Sequence, residues 1–177
     1  MIDVIPINTA FKTLLEAHTE ADFAMLRNNN RPRPPFPYAT WDTSSLTQIG
    51  SDSVLEPDDQ GESEIVGDRE FVVPIDFFGL KAMENLEHFL SVMRLQSVIT
   101  ALDAVGIVFV QLVGSIQDTT QLVDSKYEYR ATMDMLFRTC SSIVDTEVGL
   151  IEGVEIDAKW KTGDTEKEET LQIGNIP

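Results

Sequence analysis

The sequence predicts an α+β fold, a mainly antiparallel sheet with two or three helices packed on one face. Three observations predict it. Residues 127–138 alternate, with Tyr127, Tyr129, Ala131, Met133, Met135 and Phe137 opposite Glu128, Arg130, Thr132, Asp134 and Arg138, and Leu136 the one exception. That period of two marks an antiparallel strand with one wet face. Val154, Ile156, Ala158 and Trp160 repeat it opposite Glu155, Asp157, Lys159 and Lys161. Residues 80–98 change period: Leu80, Met83, Leu86, Leu90 and Met93 form a stripe widened by Phe89 and Val92, which is an amphipathic helix. Elements with one apolar face each bury it by stacking in two layers.

The remaining elements follow in chain order. Asn8 or Thr9 is placed to cap a first helix carrying Ala10, Phe11, Leu14, Leu15 and His18. Residues 23–26 form a short strand. The stretch Asn28-Asn29-Asn30-Arg31-Pro32-Arg33-Pro34-Pro35-Phe36-Pro37 enforces an extended, helix-free connection, because each proline fixes its own φ and biases the residue before it. A Thr-rich strand with Tyr38 and Trp41 spans 38–49. Residues 51–64 carry Asp52, Glu56, Asp58, Asp59, Glu62 and Glu64 with Pro57 and Gly61, and read as a solvated acidic loop. A strand at 69–78 places Phe71, Val73, Ile75 and Phe77 on one face, and Pro74 assigns it to an edge or a bulge. A shorter helix at 98–105 turns Ile99, Leu102 and Val105 inward and stops at Gly106. A strand from a buried region follows at 107–113, then a connection at 118–122. The expected organisation is one α+β domain over residues 1–161, with the acidic loop at 51–64, and an acidic C-terminal tail at 162–177.

Composition narrows the function classes. Of 177 residues, 13 are Lys or Arg and 30 are Asp or Glu, a net charge of −17. Such a chain repels phosphate, which argues against wrapping or gripping DNA, yet suits a channel through which DNA slides without sticking. The apolar share is ordinary for a globular protein, 42%. The single Cys140 forms no internal disulfide and is read as a small core or half-buried residue in a reducing compartment. The N-terminus lacks the basic start and apolar run of a signal peptide. The apolar stretch at 105–113 is too short to cross a bilayer, so a soluble protein is expected.

Few residues invite chemistry. His18 and His88 each fall on a predicted helix with no partner at metal-ligand spacing. The glycines stand singly at turns, without a phosphate loop, and the Ser44-Ser45 and Ser141-Ser142 pairs sit in no nucleophile elbow. Asp157-Ala158-Lys159 has the acid-x-lysine spacing of metal-dependent nucleases, with Asp134 or Asp145 as further carboxylates, although the polar face of an alternating strand places the same residues there by default. The acidic loop lacks the regular ligand spacing of a calcium loop. Arg31-Pro32-Arg33-Pro34-Pro35 reads as a rigid crossover, or as a ligand for an aromatic-lined groove.

The order of these segments resembles a phage neck or tail terminator family with a tail-terminator-like fold. The resemblance is carried by Asn28-Asn29-Asn30, Arg31-Pro32-Arg33-Pro34, Tyr38-Ala39-Thr40, Arg69-Glu70-Phe71, the Leu86-bearing helix and Leu102-Asp103-Ala104-Val105-Gly106. Asp118-Thr119, Leu122 and the run from Tyr127 through Phe137 complete it, so that residues 8 to 160 are covered. The resemblance implies a structural virion protein, assembled in the host cytoplasm as a homo-oligomeric ring, hexameric in symmetry. It would cap the tail tube and join it to the head-completion proteins of the neck, with DNA only as passing cargo and no membrane partner. A head-closure or tail-completion role in the same connector is the near alternative. The family pattern contains no catalytic, cofactor-binding or metal residue, and no cofactor is expected. The acidic loop and the residues after Gly163 are the candidate assembly arms. From other classes, the alternatives are a metal-dependent nuclease using Asp157 and Lys159, or an acidic DNA-mimic binding module.

Overall fold

The computed structural model describes residues 4–58, 61–146, 153–162 and 165–174, with side chains up to residue 146. In chain order the elements are α1 (Val4–His18), β1 (Phe23–Leu26), β2 (Tyr38–Trp41), β3 (Ser45–Val54), β4 (Ser63–Phe78), α2 (Ala82–Val92), α3 (Gln96–Asp103) and β5 (Ile107–Asp118). Then come β6 (Gln121–Val123), β7 (Lys126–Glu128), β8 (Arg130–Asp145), β9 (Gly153–Thr162) and β10 (Thr165–Gly174). The chain divides into two compact units, Met1–Ser53 with Val66–Ile143, and Val54–Ile65 with Val144–Pro177.

The first unit is built on a sheet of order β1-β2-β4-β8-β5, with β3 also pairing β4. β1 runs parallel to β2, whereas β2–β4 and β5–β8 are antiparallel. Alternate residues of β4 (Phe71, Val73, Ile75, Phe77) and of β8 (Ala131, Met133, Met135, Phe137) are buried in one core. Into that core α1 sends Ile7, Phe11, Leu14 and Leu15, α2 sends Leu86, Phe89 and Val92, and α3 sends Val98 and Leu102. All three helices therefore cover one face of a mostly antiparallel sheet, as an α+β fold requires. Phe137 is the hub, with Phe11 edge-on at 5.0 Å and Phe71 and Phe109 at 5.8 and 5.6 Å between ring centroids. The buried Asn85 ties α2 to the end of α1, accepting the Glu20 N–H at 2.7 Å and donating to the Lys81 carbonyl at 3.1 Å.

Several elements differ from expectation, each for a local reason. α1 begins at Val4, because Pro6 falls in the first turn, where its missing N–H has no intrahelical partner to lose. The strand expected at 38–49 is two strands. Across its break, the Asp42 and Ser44 N–H groups donate to the Pro74 and Val72 carbonyls at 3.2 and 2.9 Å. Pro74 is thereby buried in a strand flanked by others, and the edge assignment is corrected. In an antiparallel ladder a residue's N–H and C=O point to the same side, so the donor Pro74 lacks faces the gap between β2 and β3. The helix expected over 80–98 ends at Val92 and a second starts at Gln96; Leu80 and Met83 are exposed, as is Ile99. β5 extends to Asp118 as an edge strand with two register shifts, and of it only Ile107 is fully buried. Gly114 takes φ +75 inside the second shift, a conformation that favours glycine. Tyr127 and Tyr129 are exposed, since the alternating strand breaks at Tyr129 and the sheet proper starts at Arg130. Cys140 is exposed on β8 rather than half-buried, because its side falls opposite the helices.

In the second unit the described residues of the acidic stretch are tied together by hydrogen bonds. The Leu55 N–H donates to the Glu64 carbonyl at 2.8 Å and the Ser63 hydroxyl to the Leu55 carbonyl at 2.7 Å. Asp58 and Glu62 close the turn, the Asp58 N–H on the Glu62 carbonyl at 2.9 Å and the Glu62 N–H on Asp58 Oδ1 at 3.0 Å. Its ends are strand, so the loop is shorter than 51–64. Thr165–Gly174, expected as a tail, forms β10 and pairs with β9 along its whole length.

Candidate functional site

On the sheet face opposite the helices, the wide spacing of charge in the sequence becomes a cluster. Along β2, Ala39 and Trp41 enter the core, so Tyr38 and Thr40 face the other way. Along β4, the same alternation turns Asp76 and Phe78 to that side, opposite Thr40 and Tyr38 in register. Arg130, the residue before buried Ala131, follows from β8. The connection between parallel β1 and β2 crosses this face and delivers Arg27, Arg31 and Arg33. It is pinned by the Arg27 N–H on the Trp41 carbonyl (2.7 Å), by the Asn28 amide on Asp42, and by the Arg31 N–H on Asn29 Oδ1 (2.9 Å).

At the centre lies Asp76, its side chain 1% exposed, held between Arg27 at 2.5 Å and Arg130 at 3.0 Å. The Thr40 hydroxyl adds a donor at 3.3 Å. Two guanidinium groups and a hydroxyl take the place of the water that a carboxyl this deep gives up. Beside it, the Arg33 guanidinium grips both oxygens of Glu128, one contact at 2.9 Å, while its Nε donates to the Tyr38 phenol at 2.6 Å. That hydrogen bond holds the Glu128 carboxyl below its ordinary range and raises Arg33. Burial raises the Tyr38 phenol, so it stays protonated. Arg33 also lies over the rings of Phe36, Tyr38 and Phe78 at 4.9, 5.5 and 5.3 Å, and Arg130 over Phe78 at 4.9 Å.

These groups wall a cavity of about 240 Å³ lined by Arg27, Arg31, Arg33 and Arg130. Four of the chain's 13 basic residues thus meet at one place in a protein of charge −17. Asp76 and Glu128 answer only two of the four charges. Among the described residues the Arg31 guanidinium has no ion-pair partner, and Arg130 Nε is buried without an acceptor. Donors exceed acceptors, so the arrangement suits an incoming anion. A larger cavity, about 620 Å³, opens between α2, α3 and β5 and is mostly apolar, with Met93, Leu102, Ile107 and Leu112 in its walls.

Of the residues singled out from sequence, His18 and His88 are brought to one cleft with Glu20, Lys81 and Glu84. Among the described residues no group of three or more His, Cys, Asp or Glu is placed to hold a metal ion. Asp157 and Lys159 lie on β9, with Thr170 and Glu168 opposite in register. Their side chains lie outside the described residues. Among the described residues β9 pairs β10 in a two-stranded sheet. The arginine cluster escaped the sequence reading, although two signals mark it: Asp76 interrupts an apolar strand, and Arg27, Arg31 and Arg33 crowd a segment with no acid between them.

Among the described residues no helix is long and apolar enough to cross a membrane. No curated protein matches the chain. The profile of the phage neck terminator protein matches residues 7–163, from α1 to just past β9. That match takes in the whole helix-backed sheet and the arginine crossover on its far side. The chain belongs to the phage neck terminator protein family, structural proteins of the virion neck that work in contact with other virion proteins.

Proposed function

We propose that this chain is the subunit of a homo-oligomeric ring, hexameric in symmetry, that caps the tail tube and joins it to the head-completion proteins of the neck. It acts without catalysis or cofactor, and DNA passes the lumen as cargo. The family match over residues 7–163 carries this reading. Two physical features support it. β5 is an edge strand of 12 residues with Val108, Val110 and Val113 exposed, and an edge of this kind is completed by a neighbouring chain. Ring contacts are head-to-tail, so a subunit needs two unlike surfaces, and the apolar β5 side and the arginine face differ in this way. The net charge of −17 keeps a lumen from adhering to DNA.

The test is genetic and structural together. Infection with the gene interrupted is expected to yield heads and tails that fail to join, with tails of uncontrolled length, and complementation restores both. Joined tails of normal length from the interrupted gene refute the proposal. So does absence of the chain from the neck in virion reconstructions.

A further inference from the structure

We infer that the cavity walled by Arg27, Arg31, Arg33 and Arg130 is a carboxylate-binding site, filled in the assembled neck by an Asp or Glu side chain of an adjacent copy of this chain. The inference rests on the ring reading for its occupant and on the cavity alone for its chemistry. Four guanidinium groups face two carboxylates, Arg31 is unpaired, and Arg130 Nε lacks an acceptor among the described residues. A buried donor without an acceptor, as at Arg130 Nε, is uncommon and calls for one, whereas Arg31 is exposed and reaches the same cavity with its charge unspent. Guanidinium forks match carboxylates two bonds at a time.

Size and charge select the class. A cavity of about 240 Å³ admits a side-chain head group and is smaller than the sites that enclose nucleotide-sized ligands. Phosphate of a passing duplex meets the repulsion of a chain of charge −17, which falls on an acidic protein partner as well. For identical subunits of that charge, however, contact requires a local basic acceptor for acidic surface, and this cavity collects the basic side chains that could serve. Arg27 and Arg130 are committed to Asp76 and Arg33 to Glu128, which leaves Arg31 as the free arm.

The test titrates the isolated full chain with acetylated hexaglutamate and with a single-stranded oligonucleotide, by calorimetry at low and at moderate salt. Hexaglutamate is expected to bind, more weakly as salt rises. Arg31→Glu is expected to weaken it about tenfold or more with an unchanged melting temperature. Arg94→Glu, which removes the same charge far from the cavity lining, leaves binding near wild type. Failure of the peptide to bind at low salt, or equal losses in the two variants, overturns the site; so does tighter binding of the oligonucleotide, which would make it a phosphate site. A photo-crosslinker at position 31 in virions then identifies the source. Crosslinks to a second copy of this chain support the inference, and crosslinks to another virion protein or to DNA overturn it. Because the titration reads the cavity whether or not rings form, its failure leaves the ring reading standing, and absence of the chain from virions leaves the cavity chemistry standing.

Discussion

Replacing Asp76 by Asn tests the electrostatic centre of the sheet face, because the change removes charge and keeps volume. Asp76 is 1% exposed and accepts from Arg27 at 2.5 Å and Arg130 at 3.0 Å. Arg27 and Arg130 donate to different oxygens, so Asn keeps one acceptor and sets its own NH2 against the other guanidinium. With charge-assisted bonds at about 1.5–3 kcal/mol and neutral ones at about 0.5–1.5, losing one and weakening the other costs about 2.5–4.5 kcal/mol before solvent is considered. The Arg27 and Arg130 side chains are 37% and 32% exposed. Water can therefore take up part of their loss, which holds the cost to about 2 kcal/mol, below the ~3–5 kcal/mol of a fully buried pair broken on one side. In a domain of this size that is a fall of about 4–8 °C in melting temperature. Urea denaturation followed by circular dichroism measures it, with the midpoint expected to fall at unchanged slope. Combining Asp76→Asn with Arg27→Gln should cost less than the sum of the single changes, since both remove the same contact. A loss under about 0.5 kcal/mol in Asp76→Asn would refute the account of this buried ion as a stabilising centre.

Three further outcomes follow from the same packing. Phe137→Ala removes the ring shared by Phe11, Phe71 and Phe109 and is expected to cost about 3–5 kcal/mol in urea unfolding, with Phe137→Leu costing clearly less. Glu128 is held by the Arg33 hydrogen bond below its ordinary 4.5, so its contribution is complete above that value and disappears as pH falls through the lowered one. Unfolding midpoints measured on acidification should fall less steeply in Glu128→Gln than in the wild type; parallel profiles would count against the pair. Gly79 takes φ +146, and a Cβ there would sit 2.9 Å from Pro37 Cβ, so Gly79→Ala should lose about 1–3 kcal/mol by the same assay.

Much of the fold is legible in single side-chain periods. Ala131, Met133, Met135 and Phe137 alternate in the sequence and are the buried side of β8; Leu86, Phe89 and Val92 recur at helical spacing and enter the same core. Where the reading slipped, the period was right and its extent was not. Tyr127, Tyr129, Leu80 and Ile99 continue their patterns beyond the layer that covers them and are exposed. Pro74 marks an edge by local rule, yet tolerates a flanked strand because its missing donor meets a gap between β2 and β3.

What the amino-acid order determined by itself is therefore which faces are apolar, and so the two-layer class. That information is local: it depends on neighbours two to four residues apart. Sequence signals mark Asp76 and the arginine-rich crossover, but their meeting in one cavity was decided by tertiary structure. Arg27 and Arg130 reach Asp76 across 49 and 54 residues of chain, and Arg33 reaches Glu128 across 95. Those meetings require β1 to lie parallel to β2, β2 to flank β4, and β8 to follow on its other side. No short-range spacing encodes that order, since strand neighbours are chosen by the burial of the whole sheet against its helices.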